Sequence, residues 1–493
     1  VEDKMKSVAF HNLGCKVNGY EMDYMQQILK EKGYNIVPFS EKADIYIINT
    51  CTVTNIADRK SRQMLHRAKK RNPEAVVVAV GCYVQTGAED ALADMSIDLA
   101  IGNNRKKDLV SILEEYLAVR AGEQPKREKS SKAPGETCRE KAESEGRACD
   151  KTLGGRTVID INHTDEYENM KLSRTAEHTR AFIKVQDGCN QFCSYCIIPY
   201  ARGRIRSREL SEVLDEVRTL AGNGYREAVL TGIHLSSYGM KKGNDFSKGK
   251  LLSLIQEVQK IQGIERIRLG SLEPRIITEA FAAGLKECDK LCPHFHLSLQ
   301  SGCDSVLKRM NRKYSAEEYY EKVGILRRYF DEPAITTDVI VGFPGEIEEE
   351  FEQTKRFLER VGFYEMHVFK YSKRKGTPAA AMDGQVAEEI KARRSDELLA
   401  LEREMSRQYR EKYLHKEVKV LFEEEKVIDG RNCLLGFTGE YIRAAVVKDG
   451  ALAGRCTAGF MAAGAEKLSG QILSGELAGF LTPDILLFQP QIH

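Results

Sequence analysis

The 493-residue sequence predicts an α/β protein in three parts: an N-terminal parallel α/β sheet domain, a central partial (β/α) barrel and a small C-terminal β domain. Three observations carry this expectation. The chain is too long for one hydrophobic core, since domains usually run to about 100–200 residues. β-rich runs alternate with amphipathic helical runs in two separate stretches, the signature of parallel βα units. Near the end of the chain the helical period gives way to β-rich runs.

The N-terminal domain is expected over residues 1–120. Ser7–His11, Ile45–Asn49 and Val76–Val80 read as strands, separated by helical patterns at Glu21–Lys32 and Ile56–Arg71. Ala121–Gly155 contains one large apolar residue, Leu153, among Glu, Lys, Arg, Ser, Gly, Ala and Pro. A segment with so little to bury reads as a linker or insertion, disordered in part, placed at 121–175. The barrel is expected over 176–412. Its candidate strands are Phe182–Val185, Ala228–Thr231, Arg266–Leu269, Phe295–Leu299, Thr337–Val341 and Met366–Lys370. Leu210–Leu220, Leu251–Ile261 and Glu317–Tyr329 fit crossover helices, which favours a curved parallel sheet. A charged helical stretch, Val386–Lys412, precedes the β domain of 413–493, where Glu417–Glu423 and Glu440–Val447 are the clearest strands.

Composition narrows the class. Hydrophobic residues make up 42% and charged residues 30%, and no apolar run approaches the ~18–20 residues that span a bilayer. Val1–Asn12 lacks the apolar core of an export signal, so a cytoplasmic location without membrane contact is expected. Thirteen cysteines, an odd number, fit metal ligation better than a disulfide framework in a reducing compartment. The net charge of +2 announces no nucleic-acid ligand, so any RNA contact has to come from local basic stretches.

Cys189, Cys193 and Cys196 form a CxxxCxxC run directly after the strand Phe182–Val185. Four thiolates satisfy every iron of a cubane cluster, whereas three leave one iron open to an exchangeable ligand. Structural zinc is the rival, but it normally wants a fourth Cys or His at a matching spacing. A second triad is dispersed: Cys15, Cys51 and Cys82 each follow a predicted strand, at the carboxyl edge where sites of open α/β sheets assemble. The alternative is three independent buried cysteines, because free Cys is commonly buried. Cys138 and Cys149 lie in the charged stretch and read as bystanders, and Cys288, Cys292, Cys303, Cys433 and Cys456 read as structural.

The phrases around these cysteines resemble the radical S-adenosylmethionine (SAM) methylthiotransferase family over nearly the whole chain. Leu13-Gly14-Cys15-Lys16-Val17-Asn18, Asn49-Thr50-Cys51-Thr52-Val53-Thr54 and Gly81-Cys82-Tyr83 look like its auxiliary-cluster motifs. Gln186-Asp187-Gly188-Cys189 through Cys196-Ile197-Ile198-Pro199-Tyr200-Ala201-Arg202-Gly203 looks like its catalytic motif. Leu13–Asn18 together with Leu230–Gly239 is most similar to the branch acting on threonylcarbamoyladenosine beside the tRNA anticodon. The resemblance implies two 4Fe-4S clusters, held by Cys15, Cys51 and Cys82 and by Cys189, Cys193 and Cys196, and SAM as methyl donor and radical source. It also implies an electron donor such as flavodoxin or ferredoxin, a sulfur source, and a C-terminal RNA-binding domain of the TRAM type. A ribosomal-protein aspartate, another tRNA adenosine and a noncatalytic RNA-binding iron-sulfur protein are the rival readings.

Further residues are candidates within that frame. Arg202, Arg204, Arg206 and Arg208 recur at every second position, so an extended backbone would put them on one face, toward RNA phosphates or the SAM carboxylate. A solvated edge is the plain alternative. Thr231 and Gly232 end a strand and would offer backbone carbonyls to SAM, with Tyr195 in the cluster loop beside it. Ser298 and Gln300 should share a face and serve as hydrogen-bonders to SAM or substrate. Asp338 is a further candidate for SAM binding: it is polar within an apolar strand and needs a partner, since an unpaired buried carboxylate is costly.

Overall fold

A computed structural model describes residues 5–87, 94–122, 156–175, 179–240, 245–246, 249–448 and 468–491. The N-terminal sheet is built from β1 (Ser7–Asn12), β2 (Asn35–Val37), β3 (Ile45–Thr50), β4 (Val76–Gly81), β5 (Leu99–Ile101) and β6 (Arg156–Thr157). All neighbours pair in parallel, in the order β2-β1-β3-β4-β5-β6. β3 and β4 are buried along their whole length, as near-continuous runs of Ile, Val and Ala require in a sheet covered on both faces. The helix Asn55–Arg71 starts where Thr54 accepts from the Ala57 N–H, and it ends on Lys69, Lys70 and Arg71, the charges its carboxyl end favours. The first helix, Lys16–Glu31, begins five residues before the expected Glu21, because the chain turns at Gly14 and enters the helix directly after the extended Cys15.

Part of the expected linker belongs to the fold. β6 adds to the edge of β5, pairing Ala100 with Arg156 and Ile101 with Thr157. Met170 and Leu172 are buried against Tyr20, whose hydroxyl donates to the Met170 carbonyl at 2.6 Å. The placement of a linker at 121–175 is therefore corrected from Arg156 onward, where sheet pairing and apolar contacts hold the chain. Most of Ala121–Gly155, with Cys138 and Cys149, lies outside the described residues, as does Cys456.

The central domain contains all six expected strands: β7 (Ala181–Asp187), β9 (Glu227–Gly232), β10 (Arg266–Leu269), β11 (His294–His296), β12 (Ala334–Val341) and β13 (Glu365–Lys370). A short antiparallel strand, β8 (Arg206–Ser207), flanks β7. β7, β9 and β10 pair in parallel, β11, β12 and β13 do likewise, and a parallel bridge between Ile267 and Leu291 brings the two groups together. The expected strand Phe295–Leu299 is shorter, and isolated bridges follow it at Leu297 and, one residue past the expected end, at Gln300. Alternation then sorts the faces. Ile183, Val185, Leu230, Ile267, Leu269, Phe295, Val339 and Val341 enter the main core. Their neighbours Lys184, Thr231, Arg268, His296 and Asp338 take the opposite, inner face.

The C-terminal domain is a closed barrel of β14 (Glu417–Ile428), β15 (Arg431–Thr438), β16 (Arg443–Val447), β17 (Ile472–Thr482) and β18 (Ile485–Pro490), in the order β14-β15-β16-β18-β17. β16 starts later than expected because Tyr441 sits at φ +70 in the turn before it. That turn docks the barrel onto the central domain. Arg268 pairs with Glu227 at 2.7 Å and donates to the carbonyls of Gly439 and Thr438, while Arg266 donates to those of Phe437 and Lys419. The Tyr441 ring stacks on His294 at 5.0 Å with the Arg268 guanidinium 4.6 Å from its centre. Among the described residues, no helix is long and apolar enough to cross a membrane.

Candidate active site

Parallel pairing of β1, β3 and β4 aligns their carboxyl ends, and Cys15, Cys51 and Cys82 stand just beyond those ends. Cys15 is exposed, whereas Cys51 and Cys82 are buried. Gly14 makes the approach possible: it sits at φ +113, and a Cβ there would lie 3.1 Å from Cys51 Cβ and 3.2 Å from its sulfur. The Cys15 loop can lie against Cys51 only without a side chain at that position.

The second triad occupies the loop between β7 and the short helix Ile198–Arg202. Gly188, at φ +72, opens it so tightly that a Cβ would overlap the Arg204 carbonyl oxygen. The Cys189 N–H donates to Gly203 and the Cys196 N–H to Cys193, each at 3.0 Å, and Ser194 is tied to Met310. Arg312 donates to Cys193 Sγ at 3.3 Å and to the Ser298 carbonyl at 3.1 Å, and it faces Glu273.

Burial pushes the Cys189 thiol up to about 12 and that of Cys51 up to about 11, with Cys196 higher still, and the neighbouring thiols of each triad add to the rise. A thiolate at these positions therefore needs a cationic group to offset its desolvation. The triads are also too wide for one ion. Among the described residues, only His296, Asp338 and His367 bring three ligand atoms within 4.8 Å of one another. Spread thiols in threes, buried or partly buried apart from Cys15, fit a multi-iron core with one open position.

Two joints fix one triad relative to the other. In the first, the buried Arg202 donates to Glu21 at 2.6 Å and to Asn18 at 2.6 Å, and it faces Asp187 at 3.3 Å. Lys184 reaches both Glu21 and Asp187, at 2.7 and 2.6 Å, and Lys106 also pairs with Glu21. Asn103 links Lys106 to the Ala201 carbonyl, with its amide 3.5 Å from Cys82 Sγ. In the second joint, Arg374 donates to Thr52 and Asn55 and pairs with Asp58, each at 2.6 or 2.7 Å, beside Cys51. Five residues on, the Ala379 N–H donates to the Ser194 carbonyl at 2.8 Å, beside Cys193. The strap Tyr371–Ala379 thus touches both cysteine loops.

The arginine row does not form one face. Arg202 ends a helix, and Arg202, Arg206 and Arg208 are buried on carboxylates: Arg206 lies 3.8 Å from Asp187, and Arg208 pairs with Glu216. Burying these guanidiniums against Glu and Asp removes them from phosphate contact. Arg204 alone of the four is exposed, over the Phe192 ring at 4.6 Å. Thr231 is buried at the end of β9, and Gly232 packs on Gln186, whose amide bonds the Asp187 and Gly188 carbonyls at the cluster loop. Tyr195 packs edge-on against Phe343. Ser298 offers its carbonyl to Arg312 and Tyr314, while Gln300 takes φ +73, which breaks the expected alternation between the two. Asp338 finds its partner in His296, whose Nε2 lies 3.3 Å from Oδ2. Sequence reasoning missed Glu21, Lys106, Arg312, Arg374 and His367, none of which stands in a spacing that announces it. Glu273, inside Ser271-Leu272-Glu273-Pro274, carried a signal only as part of a phrase.

A three-cysteine loop after the first strand of a six-stranded parallel partial barrel defines the class as a radical SAM protein. A model described as "Radical SAM superfamily" matches residues 183–358, and one described as "Uncharacterized protein family UPF0004" matches residues 7–102. The "Threonylcarbamoyladenosine tRNA methylthiotransferase MtaB" of Bacillus subtilis (strain 168) is 39% identical over 440 residues, 89% of this chain and 90% of the relative. The protein of that name from Aquifex aeolicus is 40% identical over 85% of this chain and 93% of its own length. A "tRNA-2-methylthio-N(6)-dimethylallyladenosine synthase" of Acetivibrio thermocellus is 34% identical over 87% and 84%. Among solved structures, the radical S-adenosylmethionine methyltransferase TsrM from Kitasatospora setae matches at TM-score 0.53 and 17% identity, over 76% of this chain and 77% of that one, a likeness of fold alone. The chain belongs to the radical SAM methylthiotransferase family, whose chemistry uses a 4Fe-4S cluster and SAM.

Proposed function

We propose that the chain methylthiolates threonylcarbamoyladenosine beside the anticodon of tRNA. The observation that carries this reading is the pair of cysteine triads held together by the Arg202 and Arg374 joints, on a chain 39–40% identical to relatives named for that substrate. Cys189, Cys193 and Cys196 hold the cluster that binds SAM, and Cys15, Cys51 and Cys82 hold a second, auxiliary cluster. When bound, the clusters and SAM supply radical generation and the donation of sulfur and methyl. The protein's own residues position and enclose these groups. Thr231, Gly232, Ser298 and Gln300 line the inner barrel toward SAM, with Tyr195 behind the cluster loop. Electrons come from a donor such as flavodoxin or ferredoxin, and sulfur from a separate source.

RNA contact falls to surfaces other than the buried arginines. An open cleft of about 750 Å³ is lined by Tyr200 of the helix after the cysteine loop and by Lys373, Lys375 and Gly376 of the strap that joins the triads. An exposed aromatic ring among lysines suits an unstacked loop nucleotide, whose base stacks while its phosphates meet the cations. Arg204, exposed beside the cysteine loop, adds a further cation.

The test is mass analysis of nucleosides after anaerobic reconstitution with SAM, reductant and sulfide. The tRNA carries threonylcarbamoyladenosine, isopentenyladenosine or plain adenosine at the same position. Selective 2-methylthiolation of the first is expected. Equal modification of all three, or modification of a ribosomal-protein aspartate instead, overturns the substrate.

A further inference from the structure

His296, Asp338 and His367 form a polar trio on the inner face of the barrel that no part of the cluster chemistry uses. Register puts them side by side: β11 pairs His296 with Thr336, and β12 pairs Asp338 with His367 of β13. The two imidazoles stack at 5.9 Å with planes 26° apart, and His296 Nε2 stands 3.3 Å from Asp338 Oδ2. His296 Nδ1 is taken by the Thr336 hydroxyl at 3.1 Å, which fixes the ring. Asp338 is 28% exposed and His367 more so, so the trio opens to solvent instead of closing on itself.

Its position is as informative as its composition. Arg312 touches Cys193 Sγ and the Ser298 carbonyl. The Gln300 N–H also donates to the Asp338 carbonyl at 2.9 Å, two residues on from the Ser298 carbonyl that Arg312 holds, so the backbone ties the trio to the segment that meets the cysteine loop. Burial raises the Asp338 carboxyl, but His296, His367 and Arg312 outweigh it and hold the group below its usual value, so it stands as an ionised acceptor. Beside it stands the exposed His367, with a ring nitrogen within 4.8 Å of the Asp338 and His296 polar atoms. One acceptor next to one imidazole donor is the complement of a group carrying both a hydroxyl and a carboxylate.

We propose that His296, Asp338 and His367 form the subsite for the threonyl arm of the substrate, with Asp338 accepting from its hydroxyl and His367 donating to its carboxylate. This rests on the substrate reading above and deepens it, assigning the discrimination between a polar arm and an apolar one to three named side chains. A site built to hydrogen-bond a substrate group rejects an analogue lacking it strongly, because its own polar groups are then left unpaired.

The test compares anticodon stem-loops bearing threonylcarbamoyladenosine as the free acid and as its methyl ester. The iron-loaded full chain is used as wild type, His367→Gln, His367→Ala and Asp338→Asn, each checked for full iron content and an unchanged Tm. The wild type should prefer the free acid by kcat/KM, and the two His367 variants should shrink that preference by about 10–100-fold, the range for one charge-assisted contact. Asp338→Asn should lower kcat/KM for both stem-loops. A wild type that treats acid and ester alike overturns the subsite while methylthiolation of both leaves the substrate reading standing. An acid preference that survives in both His367 variants does the same. Stoichiometric zinc retained by the wild type and lost from the variants overturns it in favour of a cation site. Modification of an isopentenyladenosine stem-loop in place of both removes the substrate reading and this inference together.

Discussion

Arg202 Nη1 donates to Glu21 Oε1 at 2.6 Å with both side chains almost wholly buried, and this contact joins the helix after Cys15 to the helix after Cys196. Two carboxylates, Glu21 and Asp187, there meet four cations, Lys106, Lys184, Arg202 and Arg206. A buried cluster of this kind adds little net stability when complete, and losing one member exposes the rest to an uncompensated charge.

Glu21→Gln keeps the shape and leaves the cations facing Asp187 alone. It should destabilise the chain by about 3–5 kcal/mol, read by denaturant unfolding. Burial raises the Glu21 carboxyl, but Arg202, Lys106 and Lys184 pull it well below its usual value. A depressed folded pKa stabilises fully above the unfolded value of about 4.3 and is lost as pH falls through the folded one. The gap between wild type and variant should thus be constant from pH 8 to 5 and close only in stronger acid. A gap that closes near neutrality refutes the assignment.

The two triads should load separately. Anaerobic reconstitution is expected to give about eight irons per chain, two cubane clusters. Cys15→Ala, Cys51→Ala or Cys82→Ala should remove roughly half while SAM cleavage stays detectable, and Cys189→Ala, Cys193→Ala or Cys196→Ala should abolish cleavage. Iron assays and 5'-deoxyadenosine formation decide. Retention of all iron in any of the six contradicts the division.

The arginine row splits into one surface residue and three internal ones, and the split is measurable. Arg204→Ala should lower the slope of log K against log salt for tRNA binding by about 1, the signature of a lost phosphate contact. Arg208→Ala should instead lower the unfolding free energy by about 3–5 kcal/mol, because it strands the buried Glu216. Equal effects of the two on binding, with no loss of stability, would restore the single basic face.

Removing the C-terminal barrel is a poor test of RNA binding, because Tyr441 and the carbonyls near it satisfy Arg266 and Arg268 inside the central domain. Tyr441→Ala should cost about 2–4 kcal/mol, from lost packing and cation–π contact. Calorimetry that shows the C-terminal barrel melting independently of the central domain would contradict such docking.

The local code of the chain determined a great deal. Runs such as Val76–Val80 and Ala228–Thr231 are strands because alternating helices leave them buried on both faces, and every expected strand of the central barrel is present. The positions of the six cysteines beyond strand ends followed from the same rhythm. Period-two spacing misled at Arg202–Arg208, where the chain passes from helix to a two-residue strand and carboxylates from other elements claim the guanidiniums. Expected linker residues from Arg156 to Leu172 joined the fold because an open sheet edge and the Tyr20 face were there to receive them. Glu21 with Lys184, Thr52 with Arg374 and Asp338 with His367 stand 163, 322 and 29 positions apart in the chain. No local pattern encodes such pairs. Burial decided the first two, since a charge taken out of water has to find its counterpart wherever the folded chain brings one within reach, and strand register decided the third.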